Sequence, residues 1–203
     1  MPSHRSHVAL TVWPLLTLFL AAVGRLWPAL GGAQSYAASS PVSWTSLVAC
    51  SIFVVLFLGA YIRGWAILRR QSATDAAPYR SVGCRRLQSI AGGLAWALVV
   101  AHLLLRWAMT IRVGPVALSQ YELLRDYLSR PPVLALYVLG LGALGLFFSQ
   151  GIAASVRAWS HATGPKSSLR LEVGCTLISA ALMLMAVNVL SHFVTGRAYW
   201  GVS

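Results

Sequence analysis

The stretch VLALYVLGLGALGLFFSQGIAA, residues 133–154, decides the fold, because no charged side chain interrupts it. A helix needs about 20 such residues to cross a hydrocarbon core about 30 Å thick. A membrane-crossing β-strand would be near ten residues long and would alternate apolar with polar side chains. This run does neither, so its length and uniformity predict a transmembrane helix. Pro131 and Pro132 stand directly before it, where proline's missing N–H costs a helix nothing.

Four further apolar runs of comparable length lie at about 8–27, 44–68, 87–109 and 171–194. The composition agrees: 58% of the residues are hydrophobic and only 10% charged, with a mean hydropathy of +0.70. A soluble domain carries roughly 25% charged residues. These values exclude an ordinary soluble enzyme, a disordered chain and a collagen-like one. The predicted fold class is all-α, an integral membrane bundle of five transmembrane helices, with residues 1–203 forming a single transmembrane domain. His4, Arg5 and His7 ahead of the first run, and Gly31, Gly32 and Ala33 after it, also resemble a signal peptide. The run is longer than the usual apolar core of such a peptide, which favours a resident span.

Lys and Arg number 16 against 4 Asp and Glu, a net charge of +12, and every cation but Lys166 is arginine. The placement of these charges decides what they mean. The segment from Ala29 to Ser43 has none. Arg69, Arg70, Arg80, Arg85 and Arg86 crowd between spans two and three, opposed by Asp75 alone, with Arg63 just before them. Arg157, Lys166 and Arg170 lie between spans four and five. The segment between spans three and four mixes Arg112, Arg125 and Arg130 with Glu122 and Asp126. Both basic loops fall on the side of the N-terminus, which the positive-inside rule predicts to be cytoplasmic. No basic soluble domain exists to hold nucleic acid, so none is expected as a partner; lipid is. Trp27, Trp44, Trp107, Tyr127, Trp159, Tyr199 and Trp200 near the span ends read as the interfacial aromatic belt.

Few residues inside the spans carry chemistry. Cys50, Cys84 and Cys175 are too scattered for a metal site or a full disulfide set. Four carboxylates give no acid–base constellation, and no phosphate-binding loop, dinucleotide fingerprint or catalytic triad occurs, so an autonomous enzyme is not expected. His102, in the middle of span three, is the main candidate. An imidazole at that depth can ligate a haem iron, relay a proton or hydrogen-bond a neighbouring helix. The start of the same span sets Arg85 and Arg86 at the surface and Ser89 one turn deeper, an arrangement able to hold a quinone carbonyl or a propionate. The same pattern is produced by snorkelling arginines and a serine bonded to its own helix. Gln150 and Arg63 are further polar groups in or near spans. Gly59, Gly64 and Gly151 permit close helix approach.

Three segments together resemble the five-helix cytochrome b membrane-anchor subunit of succinate dehydrogenase/fumarate reductase, in its single-subunit form. Arg86-Leu87-Gln88-Ser89-Ile90-Ala91-Gly92 with His102 ten residues past the glycine is similar to that family's Arg, hydroxyl, Gly and haem-ligand His. The segment Tyr121-Glu122-Leu123-Leu124, with Leu128-Ser129-Arg130-Pro131 and Leu136-Tyr137-Val138-Leu139-Gly140, is similar to its outer loop and the entry to the next helix. Phe147-Phe148-Ser149-Gln150-Gly151-Ile152 followed by Trp159 is similar to its H-F-x-N-G-[LI] segment. The likeness is strongest from about Arg85 to Val194.

The resemblance implies a non-catalytic subunit of the bacterial inner (cytoplasmic) membrane. Such a subunit docks the succinate dehydrogenase flavoprotein and iron–sulfur subunits and passes electrons to membrane quinone. It implies Arg85, Arg86 and Ser89 for quinone or docking contacts and His102 as a haem b ligand. The haem-ligand positions in spans four and two fall on Phe147 and Ala60, which cannot coordinate iron, and span one has no histidine. Two forms follow: an anchor poor in haem, or one haem with an unexpected second ligand. A non-redox helical protein, such as a small transporter or assembly factor, is the alternative from another class.

Overall fold

The computed structural model describes residues 4–39, 43–70, 82–159 and 165–200, with side chains except at 4–11, 64–65, 67–70, 82, 85, 158–159 and 165–166. Of the residues singled out above, Asp75 and Arg80 lie outside this description. So do the side chains of His4, Arg5, His7, Arg69, Arg70, Arg85, Trp159 and Lys166.

Among the described residues seven α-helices follow in order: α1 (His4–Leu26), α2 (Ala33–Ser39), α3 (Trp44–Arg70), α4 (Val82–Val113), α5 (Ala117–Leu128), α6 (Pro131–Trp159) and α7 (Pro165–Thr195). A 3₁₀ turn, Trp27–Gly31, joins α1 to α2. The described chain is all-α. Five segments are long and apolar enough to cross a membrane: Val12–Gly31, Trp44–Arg63, Arg86–Val113, Pro131–Arg157 and Ser167–Thr195. They overlap the five apolar runs, the first lying four residues later than expected, and α6 begins at the proline pair. The helices outlast the runs because backbone N–H and C=O groups at a span's end are still best satisfied along the same helix.

The connections between spans hold more structure than their sequence announces. The uncharged segment after span one contains α2, and the mixed-charge segment after span three contains α5. Helix α5 is too short to cross a bilayer and is amphipathic instead. Gln120, Tyr121, Leu124 and Leu128 are buried, while Glu122, Arg125 and Asp126 face out. Gly114, at a φ of +69°, ends α4 and turns the chain toward α5. Helices α2 and α5 pack on each other and close one end of the bundle, here the capped end. The opposite end, where Arg63, Arg86 and Arg170 are exposed, is the basic end.

Helix α6 is central, packed on α1, α4 and α7, and α3 packs on α1 and α4. Glycines set the closest seams. A Cβ on Gly140 would stand 2.7 Å from Leu98 of α4, and one on Gly151 would stand 2.7 Å from Val12 of α1. The outward faces are apolar, with Val55, Ile111 and Leu139 each about 70% exposed. That surface suits lipid and would be insoluble in water. Polar bonds pin neighbouring helices: Trp13 Nε1 to Ser155 Oγ at 3.0 Å, Trp107 Nε1 to Ser51 Oγ at 2.8 Å, and Ser179 Oγ to the Gly145 carbonyl at 2.7 Å. Each such bond stabilises a membrane bundle by about 0.6 kcal/mol on average. Near the basic end Arg157 and Glu172 join α6 to α7 at 2.6 Å.

Candidate functional site

Four-residue steps along α4 bring side chains onto one face. Gln88, Gly92 and Trp96 form one such series; His102 and Arg106 form another, nearer the capped end and on the side of the helix that Gln88 occupies. This face meets α6 along most of its length. The site candidates therefore form a line from the basic to the capped end of one seam.

Midway along α4, His102 Nδ1 and the Tyr137 hydroxyl of α6 are 2.7 Å apart. The rings stand edge to face, with centroids 6.0 Å apart. With Nδ1 engaged, Nε2 is the nitrogen a metal would meet, as in many oriented histidine ligands. His192 of α7 is engaged separately: its Nε2 lies 3.1 Å from the Tyr121 hydroxyl at the capped end.

Toward the basic end the seam is filled. The ring of Phe147 reaches 2.7 Å from where a Cβ on Gly92 would be, and the Tyr61 hydroxyl 2.6 Å. Tyr61 donates to the Ser89 carbonyl at 3.0 Å, which ties α3 to α4. Gln88, only 4% exposed, donates from Nε2 to the Phe147 carbonyl at 3.0 Å. Among the described residues its buried Oε1 has no hydrogen-bond partner, nor has Nε1 of Trp96. Arg86 is exposed at the helix start and Ser89 is half-buried beside Gln88. Ser89 and Arg86 thus share the basic end, whereas His102 lies about 20 Å further along the helix axis at 1.5 Å per residue.

A bis-histidine haem would need a second imidazole besides His102, from another helix. His102 supplies one imidazole. Phe147 and Ala60 carry no ligating atom, and the Phe147 ring occupies the space left by Gly92. Among the described residues no three His, Cys, Asp or Glu gather. The residues fit a single imidazole ligand and do not fit a four-histidine, two-haem set.

The capped end holds polar groups that pattern reading passed over. Arg106, 7% exposed, donates to the hydroxyl of fully buried Tyr36 at 3.3 Å. Gln120 donates to Thr110 Oγ1 at 3.1 Å and to the Gly114 carbonyl at 3.0 Å. The Tyr36 and Tyr121 rings lie 5.8 Å apart. Burial, foremost, and the Glu122 carboxylate push the Tyr121 phenol above its ordinary pKa, against the pull of Arg125. The sequence did carry one signal here: Arg106 follows His102 by four residues inside an apolar run, on the same helix face. Tyr36 and Gln120 had no comparable mark, since each sits in a segment whose fold was not evident.

No family model, curated protein or solved structure matches the chain.

Proposed function

We propose that the chain is the membrane-anchor subunit of a succinate:quinone oxidoreductase. The observation that carries this reading is His102, held by Tyr137 at 2.7 Å across the α4–α6 seam and ten residues beyond Gly92. An ionisable side chain at that depth is expensive unless it has work to do or a partner to satisfy it. In this reading the basic end faces the cytoplasm of a bacterial-type cell. Its arginines, among them Arg63, Arg86 and Arg170, meet the iron–sulfur and flavoprotein subunits.

Succinate gives up two electrons and two protons on those partners, and a membrane quinone takes up two of each. This chain's part is placement. Arg86 and Ser89, with Arg85 from the same turn, border the basic end, and Tyr61 fixes the α3–α4 approach beside them.

The test is isolation of the tagged chain from native membranes at endogenous levels. Recovery with a flavoprotein, an iron–sulfur subunit and succinate:quinone reductase activity is the expected result. Recovery of the chain alone overturns the reading.

One observation favours a second reading, a non-redox membrane protein such as a small transporter or assembly factor. The Phe147 ring packed on Gly92 makes the seam a plain side-chain contact. A visible spectrum with an α band that is lost in His102→Ala supports the cytochrome form against it. Flavoprotein and iron–sulfur genes beside this one support the anchor with or without haem.

A further inference from the structure

Along α4 one row of side chains points into the bundle at helical spacing: Ala91, Ala95, Leu98, His102, Arg106 and Met109. All are buried except His102, which stays partly exposed. On α6 the inward row is buried at Ile152, Phe148 and Leu144, but its next two members, Leu141 and Tyr137, are partly exposed. On α1 the row is buried at Leu15, Phe19 and Val23, and Leu26, its continuation, is partly exposed.

These breaks fall at one level. His102 and Tyr137 meet across the seam. Phe19 packs on Phe148 with ring centroids 5.6 Å apart, and α1 runs antiparallel to α6, so seven residues on Leu26 stands level with Leu141. The same level divides the core. Among the described residues the buried apolar side chains fall into two clusters, and Trp27, Tyr137 and Leu141 pack against both. Interiors are otherwise close-packed, so inward-facing residues that remain partly exposed border unfilled space.

Leu26, Trp27 and Leu141 give this space apolar walls, and His102 and Tyr137 give it one polar pair. With Nδ1 engaged by the Tyr137 hydroxyl, Nε2 has no hydrogen-bond partner among the described residues. A phenol O–H is the stronger donor and an imidazole nitrogen the stronger acceptor, so the phenol donates to Nδ1 and the imidazole hydrogen stays on Nε2. An N–H in apolar surroundings calls for an acceptor. An iron would need the other tautomer, with the hydrogen on Nδ1.

We infer that this space is a binding pocket for a neutral, ring-sized molecule that presents a carbonyl oxygen to His102 Nε2. Apolar walls with one convergent donor suit such a ligand. The class includes the head group of a membrane quinone and free aromatic ketones. The pocket lies about 20 Å along α4 from Ser89, so it is separate from the basic end. Tyr137 is a positioning residue that fixes the tautomer and orientation of His102. The pocket does not rest on the proposed redox role: it stands if no flavoprotein accompanies the chain, and its failure leaves that role untouched.

The test uses the full-length chain in lipid nanodiscs with ¹⁵N-labelled histidine. It is titrated with acetophenone, and with ethylbenzene, which has nearly the same shape and no oxygen. The expected result is a saturable shift of the His102 Nε2 signal with acetophenone alone. His102→Leu weakens acetophenone binding about tenfold, the equivalent of one such hydrogen bond. Tyr137→Phe weakens it by a smaller factor and serves if the leucine variant does not fold. Leu141→Phe tests the space without any ligand: it abolishes acetophenone binding and leaves the thermal midpoint unchanged or raised. A lowered midpoint means that the core is already full and overturns the pocket. So do equal effects of the two compounds, or a Soret band in the purified chain that disappears in His102→Leu. Competition with decylubiquinone separates the sources. Displacement of acetophenone assigns the pocket to a quinone head group, and retention overturns that source in favour of a free ketone.

Discussion

The Phe147 ring lies 2.7 Å from the point where a Cβ on Gly92 would stand, so the α4–α6 seam is closed by one aromatic side chain set against one glycine. Both partners are confined there. The Tyr61 hydroxyl approaches the same point to 2.6 Å, and Phe147 is only 2% exposed. Gly92→Ala therefore overfills the seam and destabilises the bundle by roughly 1–3 kcal/mol. In the Gly92→Ala background, Phe147→Leu returns part of that loss, although alone it leaves a void. A double-mutant cycle on unfolding in mixed micelles measures the coupling; additive single effects would refute the contact.

Tyr137→Phe removes the partner of His102 Nδ1 and leaves the ring in place. The expected loss is about 0.6 kcal/mol, the scale of one hydrogen bond between membrane helices. Imidazole ¹⁵N chemical shifts follow it: the Nδ1 signal moves in the variant while that of His192 does not.

Arg157 and Glu172 form an ion pair at 2.6 Å, with side chains 16% and 24% exposed. Removing either partner leaves the other charge poorly solvated, so Arg157→Gln and Glu172→Gln each cost roughly 1.5–3 kcal/mol. The double variant loses less than the sum, as thermal midpoints of the three variants would reveal.

Tyr121 gives a pH dependence. Its phenol is pushed above the ordinary value of 10.0, chiefly by burial. A raised folded-state value means that folding favours the protonated phenol. The stability this contributes is fully present below the unfolded value of about 10 and is lost as pH rises through the folded one. Thermal midpoints should fall as pH rises above about 10, and fall less steeply in Tyr121→Phe. Parallel curves for the two proteins would remove Tyr121 as the cause.

Asn188, fully buried in α7, fastens the C-terminal segment. It donates to the Trp200 carbonyl at 2.6 Å and accepts from the Tyr199 and Trp200 amides at 2.7 and 3.3 Å. The chain reaches it by reversing at Gly196, at a φ of +74°. Asn188→Ala frees the segment, and tryptic cleavage after exposed Arg197 accelerates by roughly tenfold or more, the equivalent of one such bond. Unchanged cleavage would mean that the fastening contributes nothing in solution.

The sequence by itself determined the all-α architecture and the five long apolar helices. In a bilayer each segment must satisfy its own backbone hydrogen bonds, so a charge-free run such as 133–154 has one stable form regardless of its neighbours. It also marked His102, because an ionisable residue stands out in such a run. What it left undetermined is how each helix is rotated and what it meets. Lipid and bundle interior are equally apolar, so no stripe of hydrophobic residues distinguishes the buried face of a span. Only the tertiary structure set Phe147 into the space at Gly92, paired His102 with Tyr137, and brought Arg106 to Tyr36 across 70 residues of chain. Helix α5 is the intermediate case. Its apolar positions recur at helical spacing, but its buried Gln120 and Tyr121 make sense only once Thr110 and His192 stand opposite them.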